Sequence, residues 1–152
     1  MRLTILVMIT LLLLGCGYRK PATHEPVMHS YQNLSLEQAV TRLAAAMKAE
    51  GIPIKSEDPE KGRIVSDSFD VNEEWCDCGK NLLGEEYLGT RRGVMKVSVR
   101  RSRETTVTFD FKTRLTILAN DKQLICGSLG VLEKKILSHV KTDDGSATGE
   151  SR

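Results

Sequence analysis

The chain has 152 residues, with 22 Lys or Arg against 20 Asp or Glu and a formal charge of +2, one unit of which belongs to Arg2. So even a balance, with aromatics at 5%, excludes a global electrostatic case for nucleic acid as partner. The length suits one domain with a single core, and no internal repeat or heptad run is visible.

Met1-Arg2 opens the chain, and residues 3 to 14 are apolar except for Thr4 and Thr10. A charged start followed by an apolar run of about a dozen residues has the form of an export signal. As a helix the run reaches roughly 18 Å against a hydrocarbon core of about 30 Å, too short for a permanent span. It ends Leu13-Leu14-Gly15-Cys16, which resembles the lipobox of bacterial membrane lipoproteins. The resemblance implies that residues 1–15 are a signal peptide removed on export and that Cys16 becomes the acylated N-terminus. The family adds two or three acyl chains, and durable attachment needs more than one. Gly17 stands where an aspartate is absent; in Gram-negative members that goes with the outer membrane, facing the periplasm. The alternative is an ordinary signal peptide, or a short anchor in which the cysteine is incidental.

Residues 16–33 are polar, carry Pro21, His24, Pro26 and His29, and show no periodicity. They are expected to form a lipidated flexible tether. The two histidines lack cysteine or carboxylate partners at ligand spacing, so no metal site is expected there.

An α+β domain is expected over 34–141. Ser35 and Gln38 make a capping box, and Leu36, Ala39, Val40, Leu43 and Met47 recur at helical spacing. Gly51 supplies a left-handed stop, Ile52 can fold back on Met47, and Pro53 prevents continuation, so a helix is predicted over Leu36–Glu50. Ile52–Lys55 reads as a short strand, residues 57–62 as an acidic turn and Arg63–Phe69 as a strand. Asp70–Gly89 is then a connection of roughly twenty residues, a length that in a compact domain is functional or pinned.

The clearest strands follow. Met95, Val97 and Val99, then Val107, Phe109, Phe111, Leu115 and Ile117, alternate with polar residues, which predicts one buried and one wet face. If buried residues are to face one another, a loop of Ser102-Arg103-Glu104 sets Val99 opposite Val107 and Lys96 opposite Asp110. After a turn at Asn120-Asp121-Lys122, Gln123–Cys126 leads to a last helix. Its N-cap is expected at Ser128, and its stripe at Leu129, Leu132, Ile136, Leu137 and Val140. Residues 142–152 are expected to be a disordered tail. The predicted fold is a two-layer α+β sandwich, an antiparallel sheet of three or four strands with both helices on one face.

Cys76, Cys78 and Cys126 carry the remaining chemistry. In an oxidising compartment, a bridge from Cys76 or Cys78 to Cys126 closes a loop of about fifty residues, a constraint of roughly 4 kcal/mol, and pins the long connection to the last helix. One thiol is then left free or open to an intermolecular bond. The sharper alternative makes all three cysteines ligands for zinc or copper, or a redox site. Cys-x-Cys is neither the redox C-x-x-C pattern nor the usual zinc spacing, and no cofactor is expected.

No phosphate loop, nucleophile elbow or zinc-protease motif occurs, and the three histidines neighbour no nucleophile in sequence, so no catalytic residue is assigned and no enzyme is expected. Arg91, Arg92, Lys96, Arg100, Arg101 and Arg103 form a basic set, several of which share the wet face or the tip of the hairpin and are suited to lipid headgroups or an acidic partner; the alternative is an ordinary solvated sheet face with Glu104 and Asp110 interspersed. The order of lipobox, polar segment, helix ending Gly51-Ile52-Pro53-Ile54 and then Lys61-Gly62-Arg63-Ile64-Val65-Ser66 is similar to envelope lipoproteins of the BamC type. That similarity implies compact α+β modules without enzymatic activity that assist outer-membrane protein assembly; the cysteines depart from it. The expectation is a lipid-anchored, non-catalytic envelope protein that binds another envelope protein, with the thiol-based metal or redox protein as the competing reading.

Overall fold

A computed structural model of the chain describes residues 19–22 and 25–140. The expected signal peptide, the expected lipidation residue Cys16, His24 and the expected C-terminal tail lie outside the described residues.

The centre of the fold is a hairpin of two long strands, β6 (Gly89–Arg101) and β7 (Thr105–Ile117). Alternation drives it: Met95, Val97 and Val99 of one strand, and Val107, Phe109 and Leu115 of the other, are buried, while their neighbours face water. The register is the expected one, with Val99 opposite Val107, Val97 opposite Phe109 and Lys96 opposite Asp110.

Each long strand is long enough to take two short partners end to end along its free edge. β6 pairs with β3 (Arg63–Ser66) near its middle and with β4 (Phe69–Asp70) nearer its start. β7 pairs with β1 (Met28–Tyr31) at one end and with β8 (Gln123–Ser128) at the other. β2 (Ile54–Asp58) extends the sheet beyond β3, and β5 (Cys76–Asp77) beyond β8. The result is a mostly antiparallel sheet of eight strands with two helices, which overturns the expected three- or four-strand two-layer sandwich. The added strands run from two to six residues, too short to show an alternation of their own. One of them, β1, lies inside the stretch 16–33 expected to be a flexible tether. Tyr31 seats it in the core, and Val27 O accepts the Phe109 N–H beside it.

Helix α1 (Leu36–Ala49) starts at the Ser35–Gln38 capping box, with both reciprocal bonds at 3.1 Å. It ends as its sequence dictates. Gly51 takes φ +74°, its N–H reaches Lys48 O, and the Ile52 N–H reaches Met47 O, both at 3.0 Å. Helix α2 (Val131–His139) begins later than expected. Residues up to Ser128 pair with β7 and β5, so Ser128 ends a strand, and Gly130 turns the chain into the helix. The Ser128 hydroxyl accepts the Gly130 N–H at 3.0 Å and donates to the buried Glu133 carboxylate. Val40, Leu43 and Met47 of α1 and Leu132 and Ile136 of α2 share one core with the apolar face of the hairpin. Among the described residues no helix is long and apolar enough to cross a membrane.

Candidate functional site

Three sulfur atoms meet where β5 lies along the end of β8. Cys76 stands opposite Ser128, and Asp77 opposite Gly127. Cys126, one residue earlier, stands opposite Thr113 of β7, whose hydroxyl donates to Cys126 O at 3.1 Å. Cys78 and Cys126 form a disulfide, and Cys76 is left as a buried free thiol. Residues two apart in an extended segment point to the same side, so Cys76 and Cys78 both approach Cys126, and spacing alone does not choose between them. The Cys76 sulfur lies 3.9 Å from that of Cys78, and all three are within 4.8 Å of one another.

Burial pushes the Cys76 thiol above its ordinary value; the Thr113 hydroxyl and the Arg91 guanidinium favour the thiolate but do not reverse this. Cys76 is therefore a protonated, weak nucleophile at neutral pH. A bridged pair also offers no thiolate to a metal, so the set can ligate a soft ion only after Cys78–Cys126 is reduced.

A pocket of about 300 Å³ opens beside the cysteines, lined among others by Glu73, Tyr87 and Arg91. Arg91 stands apart from the rest of the basic set. It shares odd parity with Met95 and Val97, so it projects from the apolar face, is only 12% exposed, and faces Glu73 at 3.7 Å. Among the described residues its Nε has no hydrogen-bond partner. Arg92 is exposed but tied to Asp70 at 2.8 Å. Lys96, Arg100, Arg101 and Arg103 are exposed along and at the tip of the hairpin. The set is thus divided between a pocket wall, an ion pair and the tip. His139 lies outside the pocket, at the end of α2 on Glu50.

Asp77 and Gly79 are the residues that sequence reasoning passed over. The Asp77 carboxylate accepts the N–H of Gly79 at 2.8 Å and that of Ala22 at 3.0 Å, and reaches the Arg19 guanidinium at 3.5 Å. Gly79 adopts φ +77°, and a Cβ on it would lie 2.5 Å from the Arg19 carbonyl oxygen. An Asp two residues before a Gly is an Asx-turn signal, and that is the signal that was there to be read. The turn locks the start of the described chain against the cysteine segment. No protein-family model matches the chain, and no curated protein matches it.

Proposed function

We propose that the protein is a lipid-anchored lipoprotein of the bacterial envelope, held at Cys16 and facing the periplasm at the outer membrane. Its domain serves as a non-catalytic binding module for another envelope protein, in the manner of an assembly accessory. The observation that carries this reading is Leu13-Leu14-Gly15-Cys16 at the end of a short apolar leader. The Cys78–Cys126 bridge supports it, because such bridges persist in oxidising compartments outside the cytosol. The exposed basic tip at Arg100, Arg101 and Arg103 supports an acidic partner surface. Intact-mass analysis of the membrane-extracted protein tests the anchor: a chain beginning at acylated Cys16 is expected, and an unmodified chain with its leader attached overturns the reading. Crosslinking in intact cells tests the partner, and capture of no protein counts against the binding role.

A second reading is favoured by the triangle of sulfurs, within 4.8 Å of one another. In it an external dithiol gives two electrons to the Cys78–Cys126 bridge and becomes a disulfide, and its two protons pass to the released thiolates. Three thiols then stand ready for a soft metal ion. Counting thiols and metal in protein purified from the periplasm separates the readings: one thiol and no metal removes the second.

A further inference from the structure

Four leucines at one end of the sheet lie open to solvent. Leu88 and Leu118 flank the open end of the β6–β7 hairpin, joined by a bond from Leu118 N–H to Leu88 O at 3.1 Å, and they are 78% and 74% exposed. Leu82 and Leu83 form the tip of a neighbouring turn and are 60% and 81% exposed. The turn is held in shape: Asn81 Oδ1 accepts the N–H groups of Leu83 and Glu85 at 2.9 Å, and Lys80 bridges to Glu86. Asn81, Leu88 and Leu118 border one shallow depression. Leucines scattered singly over a surface need no explanation, whereas a group at one end marks a contact.

Where the chain enters the domain indicates what that contact is. Arg19 pairs with Lys80 at the base of the leucine turn, its carbonyl accepting the Lys80 N–H at 3.1 Å. Only Gly17 and Tyr18 separate Arg19 from Cys16, and three residue steps span at most about 11 Å. Acyl chains on Cys16 must therefore enter a bilayer close to the leucine turn. We propose that Leu82, Leu83, Leu88 and Leu118 dock on that bilayer, so that the domain sits on the membrane by its leucine end. The proposal rests on acylation of Cys16. Arg19, Lys20 and Lys80 are matched by Asp77, Glu85 and Glu86, so the contact is made by hydrocarbon and needs no anionic lipid. The basic tip at Arg103 is then about 40 Å away along the hairpin, directed from the bilayer into the periplasm.

The test uses the mature acylated protein in phosphatidylcholine vesicles whose acyl chains carry bromine. Trp75 is buried and gives a constant background. In Leu83→Trp, on an exposed turn, the added fluorescence is expected to be quenched severalfold more than that of Trp75, whereas in Ser102→Trp, at the far tip, it is expected to be unquenched. An acyl mass on Cys16 with the indole of Leu83→Trp unquenched overturns the docking and leaves the anchor standing; absence of the acyl mass overturns both. An indole at this turn that is shielded from acrylamide yet unquenched by bromine shows a protein surface over the leucines, and also overturns the bilayer contact.

Discussion

The Asp77 carboxylate holds the backbone N–H of Ala22 at 3.0 Å, across 55 residues of sequence. This bond and the pairing of Arg19 with Lys80 dock the start of the described chain next to the cysteines. Asp77 also fixes Gly79, whose left-handed backbone admits no side chain without meeting the Arg19 carbonyl.

Gly79→Ala is therefore expected to release residues 19–22. The left-handed conformation alone costs a non-glycine residue about 1–2 kcal/mol, before the clash is counted. Trypsin cleavage after Arg19 measures the release directly, since Lys20 is followed by proline and its bond resists the enzyme. Cleavage is expected to be slow in the parent and faster in Gly79→Ala and Asp77→Ala. Equal rates in all three show that the clamp does not hold the segment.

The cysteine triangle makes a count of thiols informative. The native protein is expected to show no thiol reactive toward a disulfide reagent, because Cys76 is buried and its pKa is raised, and one after unfolding in urea. Cys126→Ala opens a loop whose ends are 48 residues apart. It is expected to lower stability by about 4 kcal/mol on the chain-entropy estimate, read from the urea midpoint. A shift below about 1 kcal/mol shows that the bridge constrains little.

The hairpin and the first helix were legible because each carries its signal within itself. Alternation over Met95–Arg100 in β6 and Val107–Ile117 in β7 sets the register by parity, and Ser35, Gln38 and Gly51 mark both ends of α1. The size of the sheet was not legible. β4 and β5 have two residues each and exist only because a neighbouring edge completes their hydrogen bonds, so their pattern lies in the partner. The same holds for β1, whose Met28-His29-Ser30 reads as a polar linker until Thr106–Thr108 lies alongside. At the site, that cysteines would pair was legible from their number and context, but the choice of Cys78 depends on where the Asp77 turn directs the chain. The inward position of Arg91 is legible by parity with Met95 and Val97, against its charge.

Tyr31 offers a test of a missing interaction. Its ring closes the core under β1, and its hydroxyl is buried with no hydrogen-bond partner among the described residues. Burial pushes its pKa up to about 12. Removing a group whose desolvation is not repaid by a bond is neutral or favourable. Tyr31→Phe is thus expected to leave stability unchanged or raise it by up to about 1 kcal/mol, read by thermal or urea unfolding. A loss above about 1 kcal/mol shows that the hydroxyl is bonded, by water or otherwise.

The two helices are joined by one carboxylate at the end of α1. Glu50 faces Lys135 Nζ at 2.6 Å and His139 Nε2 at 2.7 Å, both from α2. The bond from Lys135 is the main cause that holds the Glu50 pKa below its ordinary value of 4.5, with His139 adding to it against the cost of burial. A carboxylate whose pKa is lower folded than unfolded adds stability when both states are ionised, above pH 4.5. That contribution is lost as the pH falls below 4.5 through the folded value, where the native carboxylate also takes up its proton. Lys135 and His139 are half exposed, so solvent screens the pair, and Glu50→Gln is expected to cost about 1–2 kcal/mol at pH 7. Urea midpoints of parent and variant should then differ at pH 7 and converge in acid below pH 4.5. A difference that stays constant into acid assigns the effect of the substitution to packing at the helix end and removes the ion pair as its cause.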